Sequence, residues 1–135
     1  MFKRKIYSKM QEWKKDSDGK TALLIEGARR IGKSTVVEEF AKNEYESYIL
    51  IDFARASKET KELFEDVSDL NFLFLQLQLQ YRVDLQERKS VIIFDEVQLC
   101  PAARQAIKAL VADHRYDYIE TGSLISIKKN VKDIL

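Results

Sequence analysis

Eight residues, Gly27-Ala28-Arg29-Arg30-Ile31-Gly32-Lys33-Ser34, constrain this chain more than any other stretch of its sequence. They fit G-x-x-x-x-G-K-[ST] and follow an apolar run, Ala22-Leu23-Leu24-Ile25, that reads as a buried strand. After them, Thr35-Val36-Val37-Glu38-Glu39-Phe40-Ala41 reads as the start of a helix. A strand, a glycine loop and a helix in that order are the context in which this pattern carries meaning. The glycines let the backbone fold into a concavity of N–H donors at a helix N-terminus, where the dipole also favours an anion. Lys33 is placed to reach the β- and γ-phosphates of a nucleotide, and the Ser34 hydroxyl to ligate Mg²⁺. The expected phosphate seat comprises Gly27, Ala28, Arg29, Arg30, Ile31, Gly32, Lys33, Ser34 and Thr35. The bland alternative, a glycine-rich surface turn, does not explain the flanking strand and helix.

A second motif bears on the fate of the nucleotide. Val91-Ile92-Ile93-Phe94 is a continuous apolar run, as in a central strand of a parallel sheet covered on both faces, and it ends in Asp95-Glu96. Carboxylates at the C-terminal end of such a strand sit where open α/β sheets bind ligands. Asp95 is therefore expected to hold the Mg²⁺ shell together with Ser34. Many kinases and GTPases built on such a loop keep the aspartate without an adjacent glutamate. Glu96 therefore points to a base that polarises an attacking water, and hence to hydrolysis over phosphoryl transfer to a small acceptor. A solvated strand end is the alternative reading of the same two residues, and the loop at Gly27 weighs against it.

The remaining sequence organises around these motifs. At 135 residues, 45% hydrophobic, the chain suits one domain, residues 1–135, with a proper core. Its 23 Lys+Arg against 22 Asp+Glu give a formal net charge of +1, so charge makes no case for a nucleic-acid or anionic membrane partner. No stretch approaches the ~20 apolar residues of a membrane span, and Lys3, Arg4 and Lys5 are followed by no apolar segment of a secretory signal. The single cysteine, Cys100, excludes an internal disulfide and fits a reducing, cytoplasmic setting. Residues 4–15 read as an amphipathic helix with Ile6, Met10 and Trp13 on one face, and the nucleotide-binding core as residues 20–127. Trp13 reads as core before it reads as a platform for a base.

Further strands are expected at residues 48–53 and 116–121, and helices at 58–67 and, after Pro101, at 102–112. Residues 70–80 fit two templates. Leu75, Leu77 and Leu79 alternate as in a strand, yet Leu70, Phe74, Leu77 and Tyr81 form a helical stripe. Leucine and glutamine favour the helix, as does the need for a crossover between parallel strands. The fold class is thus α/β, with three layers and a mainly parallel sheet.

Taken together, residues 4–13, Leu23 through Thr35, Phe94-Asp95-Glu96-Val97-Gln98 and Thr121-Gly122-Ser123 resemble the AAA-type P-loop ATPase domain of a broad bacterial and archaeal family. In that family a nuclease-like C-terminal domain often follows. The resemblance implies ATP as the nucleotide, a P-loop fold of the additional-strand, catalytic-glutamate type, and a role as motor or switch of a larger protein. It implies that Asp95 is the Walker B aspartate, that Glu96 and Lys33 are catalytic, and that Ser123 occupies the sensor 1 place near the γ-phosphate. A turn role for Ser123 after Gly122 stays open. The sequence stops at Leu135, short of the family's fifth strand and lid, so a truncated domain with an exposed first strand is expected, dependent on self-association or a partner for an arginine finger. Arg104 and Arg115 are the candidates for that finger, while Arg29 and Arg30, inside the loop, could touch phosphate or a neighbouring subunit or be solvated. A nucleotide-sensing module with little turnover and a P-loop kinase stay open as alternatives. His114 and Cys100 read as a surface residue and a buried thiol.

Overall fold

The computed structural model describes residues 2–27 and 32–123. Its elements run α1 (Phe2–Ser17), β1 (Leu23–Gly27), α2 (Lys33–Glu44), β2 (Ser47–Asp52), α3 (Lys58–Glu62), α4 (Leu70–Tyr81), β3 (Ser90–Asp95), α5 (Pro101–Asp113) and β4 (Asp117–Ser123). The four strands form one parallel sheet in the order β1-β4-β3-β2. Central β3 and β4 are buried at every position, which is why the run at Val91 shows no polar alternation. Among the described residues β1 pairs with β4 alone.

Helices cover both faces of the sheet and give it two cores. On one side Met10 of α1 and Val36, Val37 and Phe40 of α2 pack on Ile25, Val91, Ile93 and Ile119. Trp13 lies partly buried against this cluster and its Nε1 donates to the Thr21 carbonyl at 3.3 Å, so it serves the core as its spacing predicts. On the other side Leu73, Phe74 and Leu77 of α4 and Ala103, Ala106 and Leu110 of α5 pack on Ile49, Ile51, Ile92, Phe94 and Tyr118. Cys100 is buried here as a free thiol. Alternate residues of each strand feed opposite layers, as the two-residue period requires. No described helix is long and apolar enough to cross a membrane.

The stretch at 70–80 is helical: Asp69 caps α4 by accepting from the Phe72 N–H at 3.0 Å, and Arg82 ends it at φ 54°. Asp69→Ala should cost about 1 kcal/mol of stability, read as a fall in the urea midpoint at unchanged slope. The helix expected over 58–67 is shorter, because α3 stops at Glu62 and tightens into a 3₁₀ turn, Leu63–Glu65. That turn drives Phe64 into the core, edge-on to Phe53 and Phe94 at centroid distances of 5.8 and 5.1 Å. At the other end of the chain, α1 runs beyond the expected residues 4–15 to Ser17, before a turn in which Asp18 and Gly19 take φ of 46° and 79°.

Candidate functional site

Parallel strands deliver their C-terminal ends to one edge of the sheet, and the two sequence motifs meet there. Gly27, the last residue of β1, pairs with Ser123, the last of β4. α2 begins at Lys33 behind Gly32, whose φ of 74° is a left-handed conformation that glycine adopts without strain. Ala28, Arg29, Arg30 and Ile31 lie outside the described residues, so the phosphate seat is seen at its two ends. Gly32, Lys33 and Ser34 border the site. Thr35, expected among the binding residues, is exposed on α2.

Lys33 is buried, with 1% of its surface exposed. Its Nζ donates to Glu96 Oε2 at 2.8 Å and to Ser123 Oγ at 3.4 Å. Lys33 is thus part of the buried interior as well as a residue of the loop motif. A buried ammonium is costly without an anion, and Glu96, 63 residues away in sequence, supplies it.

Glu96 is held from several sides. The chain turns sharply after β3, putting Glu96 at φ 55° and ψ 52°, a left-handed conformation strained for a residue with a Cβ. That turn returns its carboxylate to the sheet edge, where Oε1 accepts from Ser123 Oγ at 2.7 Å and from Gln98 Nε2 at 2.8 Å. Burial alone would raise the Glu96 pKa. The hydrogen bonds from Lys33, Gln98 and Ser123, with the Lys33 charge, outweigh burial and bring it down to about 2. The sign follows: the carboxylate is ionised across the neutral range, and acid removes its contribution only as pH falls from the ordinary 4.5 toward about 2.

Asp95 anchors a second, adjoining cluster. Its Oδ1 accepts from Ser34 Oγ at 2.8 Å and from Thr121 Oγ1 at 2.6 Å, and Thr121 Oγ1 in turn accepts from the Glu96 N–H at 3.0 Å. Asp95 and Ser34 thus present hard oxygen donors side by side, the chemistry Mg²⁺ takes when water and phosphate oxygens complete its shell. Among the described residues no group of three or more His, Cys, Asp or Glu is gathered for a metal. Ser34 and Asp95 are the described residues that could hold such an ion.

Sequence reasoning brought together Lys33, Ser34, Asp95, Glu96 and Ser123, and all of them meet here. It gave no task to Thr121 or Gln98. The β4 alternation held a signal for Thr121: it shares a face with Ile119 and Ser123, two residues before the strand ends. Thr121→Val should cost about 1–3 kcal/mol, because a buried carboxylate loses a donor and the Glu96 N–H loses its acceptor. Thermal melting of the variant beside the parent checks this.

Of the arginines, Arg104 is exposed on α5, while Arg115 is committed elsewhere. Its Nε donates to Asp113 Oδ2 at 2.9 Å, its Nη1 to Asn71 at 2.7 Å, and its guanidinium lies 5.0 Å from the Phe74 ring centre. It precedes β4, at the opposite end of the strand from Ser123, and so lies away from the site of its own chain. His114 is exposed and ends α5 at φ 68°.

A family model described as an AAA domain matches residues 19–135, which spans both clusters and all four described strands. The chain belongs to the AAA domain family. An AAA domain is a nucleotide-binding module of ATPase type, and the parallel sheet with helices on both faces agrees with its P-loop fold. Among curated proteins none matches this chain in sequence.

Proposed function

We propose that this AAA domain binds Mg·ATP and hydrolyses it, as the motor or switch of a larger protein. One observation carries the reading: Glu96 is buried, ionised, and bonded to both Lys33 and Ser123 at the C-terminal edge of the sheet. A solvated strand end would show none of this.

In this reading the triphosphate takes Lys33 away from Glu96. Ser34 and Asp95 would hold the Mg²⁺, which when bound would neutralise phosphate charge. With Lys33 on phosphate, Glu96 loses the largest of the partners that lower its pKa, and becomes a better base for an attacking water just when the substrate is seated. Gln98 and Ser123 keep its carboxylate aimed. Ser123 Oγ also accepts from Lys33 Nζ at 3.4 Å, which supports a sensor 1 role. Adenine as the base follows from the family. Among the described residues no arginine is bonded to the Glu96 cluster, so a neighbouring subunit or partner domain is the proposed source of the arginine that stabilises transition-state charge.

A nucleotide-sensing module remains the second reading, because the same groups suffice for binding. A kinase is disfavoured by the fixed glutamate. Phosphate release from Mg·ATP by the purified chain, with and without small hydroxyl acceptors, separates the three. Hydrolysis predicts free phosphate in step with ADP, unchanged by acceptor. Phosphate found only on the acceptor would mean a kinase, and tight binding without turnover would mean the module.

A further inference from the structure

Helix α4 is apolar on two sides. Leu73, Phe74 and Leu77 face the core at 1–2% exposure, while Phe72, Leu75 and Leu79 on the opposite side are 53%, 52% and 63% exposed. Positions i, i+3 and i+7 make one continuous stripe, where a surface helix ordinarily carries polar residues. Exposed apolar stripes of this kind mark interaction sites more often than chance scatter of single residues does.

The stripe runs into a charged cleft. Phe72 also lines a depression of about 260 Å³ whose other walls are Glu59, Glu62, Leu63, Asp66 and Asp69. Of these carboxylates Asp69 caps α4, Asp66 accepts from Ser68, and Glu62 meets Lys58 only loosely at 3.8 Å. Glu59 has no ion pair among the described residues. The hydrogen bonds from Ser68 hold Asp66 below the usual carboxylate range, so this edge is anionic at neutral pH.

We propose that the α3–α4 face docks an amphipathic basic helix of a partner protein, with its apolar side on Phe72, Leu75 and Leu79 and its lysines or arginines over Glu59 and Glu62. Three half-exposed side chains offer on the order of 300 Å². A stable homodimer needs about 800 Å² from each partner, so the patch suits a short helix better than a second copy. The carboxylates disfavour an anionic lipid surface and select against acidic segments. Helices are recognised in this way through apolar anchors at these spacings.

The probe is a labelled synthetic helical peptide with leucines at i, i+3 and i+7 and flanking lysines, titrated by fluorescence anisotropy into the whole chain. A control peptide carries glutamates in place of the lysines. Binding in the micromolar range is expected for the basic peptide and none for the acidic one. Leu75→Gln with Leu79→Gln should weaken binding at least about tenfold, since each buried leucine contributes more than one decade. Glu59→Lys with Glu62→Lys should weaken it too. These positions are exposed, and thermal melting of each variant verifies the fold. Equal binding of both peptides, no binding at all, or indifference to the leucine variants would overturn the proposal. So would a dimer in sedimentation that Leu75→Gln with Leu79→Gln abolishes, which would assign the face to a second copy.

Discussion

Lys33→Ala is expected to lower the affinity for Mg·ATP at least about 100-fold, the largest single effect on binding in this molecule. The substitution removes the one cation on the described edge of the phosphate seat. It acts on the fold as well. Glu96 keeps the hydrogen bonds from Ser123 and Gln98 but loses its counter-ion while still buried. The variant should therefore lose about 1–3 kcal/mol, toward the lower end for a broken buried pair because two hydrogen bonds survive. Calorimetric titration with Mg·ATP checks the first effect and urea unfolding the second. The affinity is to be measured well below the variant's melting temperature, so that the two losses stay distinct.

Glu96→Gln should separate binding from turnover. The amide can still accept from Ser123 and Gln98, but it cannot take a proton from water, so hydrolysis should fall by about 10²–10⁴-fold. Affinity should move the other way. In the parent, phosphate and Glu96 compete for the same ammonium, and with the carboxylate gone Lys33 is left for phosphate. The buried ammonium then lacks an anion until nucleotide arrives, so the variant should melt below the parent alone and be stabilised more by Mg·ATP. Melting curves across a nucleotide series, with steady-state phosphate release, test both parts. An unchanged rate would remove Glu96 from the chemistry.

What the sequence disclosed follows the range of the interactions involved. The loop motif, the apolar run before Asp95 and the helical stripe of Leu70, Phe74, Leu77 and Tyr81 are local patterns, and each put an element or a site residue in its observed place. Burial of β3 on both faces followed from an apolar run with no polar alternation, whereas β4, rich in polar residues, carried no such signal although it is buried throughout. The Lys33–Glu96 pair was hidden because its partners lie 63 residues apart, and the lysine's long side chain reads equally well as facing outward. Thr121 was obscured in the same way: its hydroxyl meets Asp95 only because β3 and β4 are neighbours in register. The early end of α3 was set by Phe64 reaching the Phe53–Phe94 cluster, a tertiary demand that charged helix-forming residues do not announce.

In the proposed mechanism Lys33 exchanges the Glu96 carboxylate for a phosphate when nucleotide binds. Mg·ATP titrated calorimetrically into the parent, Lys33→Ala and Glu96→Gln under one buffer condition should give affinities in the order Glu96→Gln, parent, Lys33→Ala. The first step should be several-fold and the second at least about 100-fold. Equal affinities for parent and Lys33→Ala, or a weaker Glu96→Gln, would contradict the exchange.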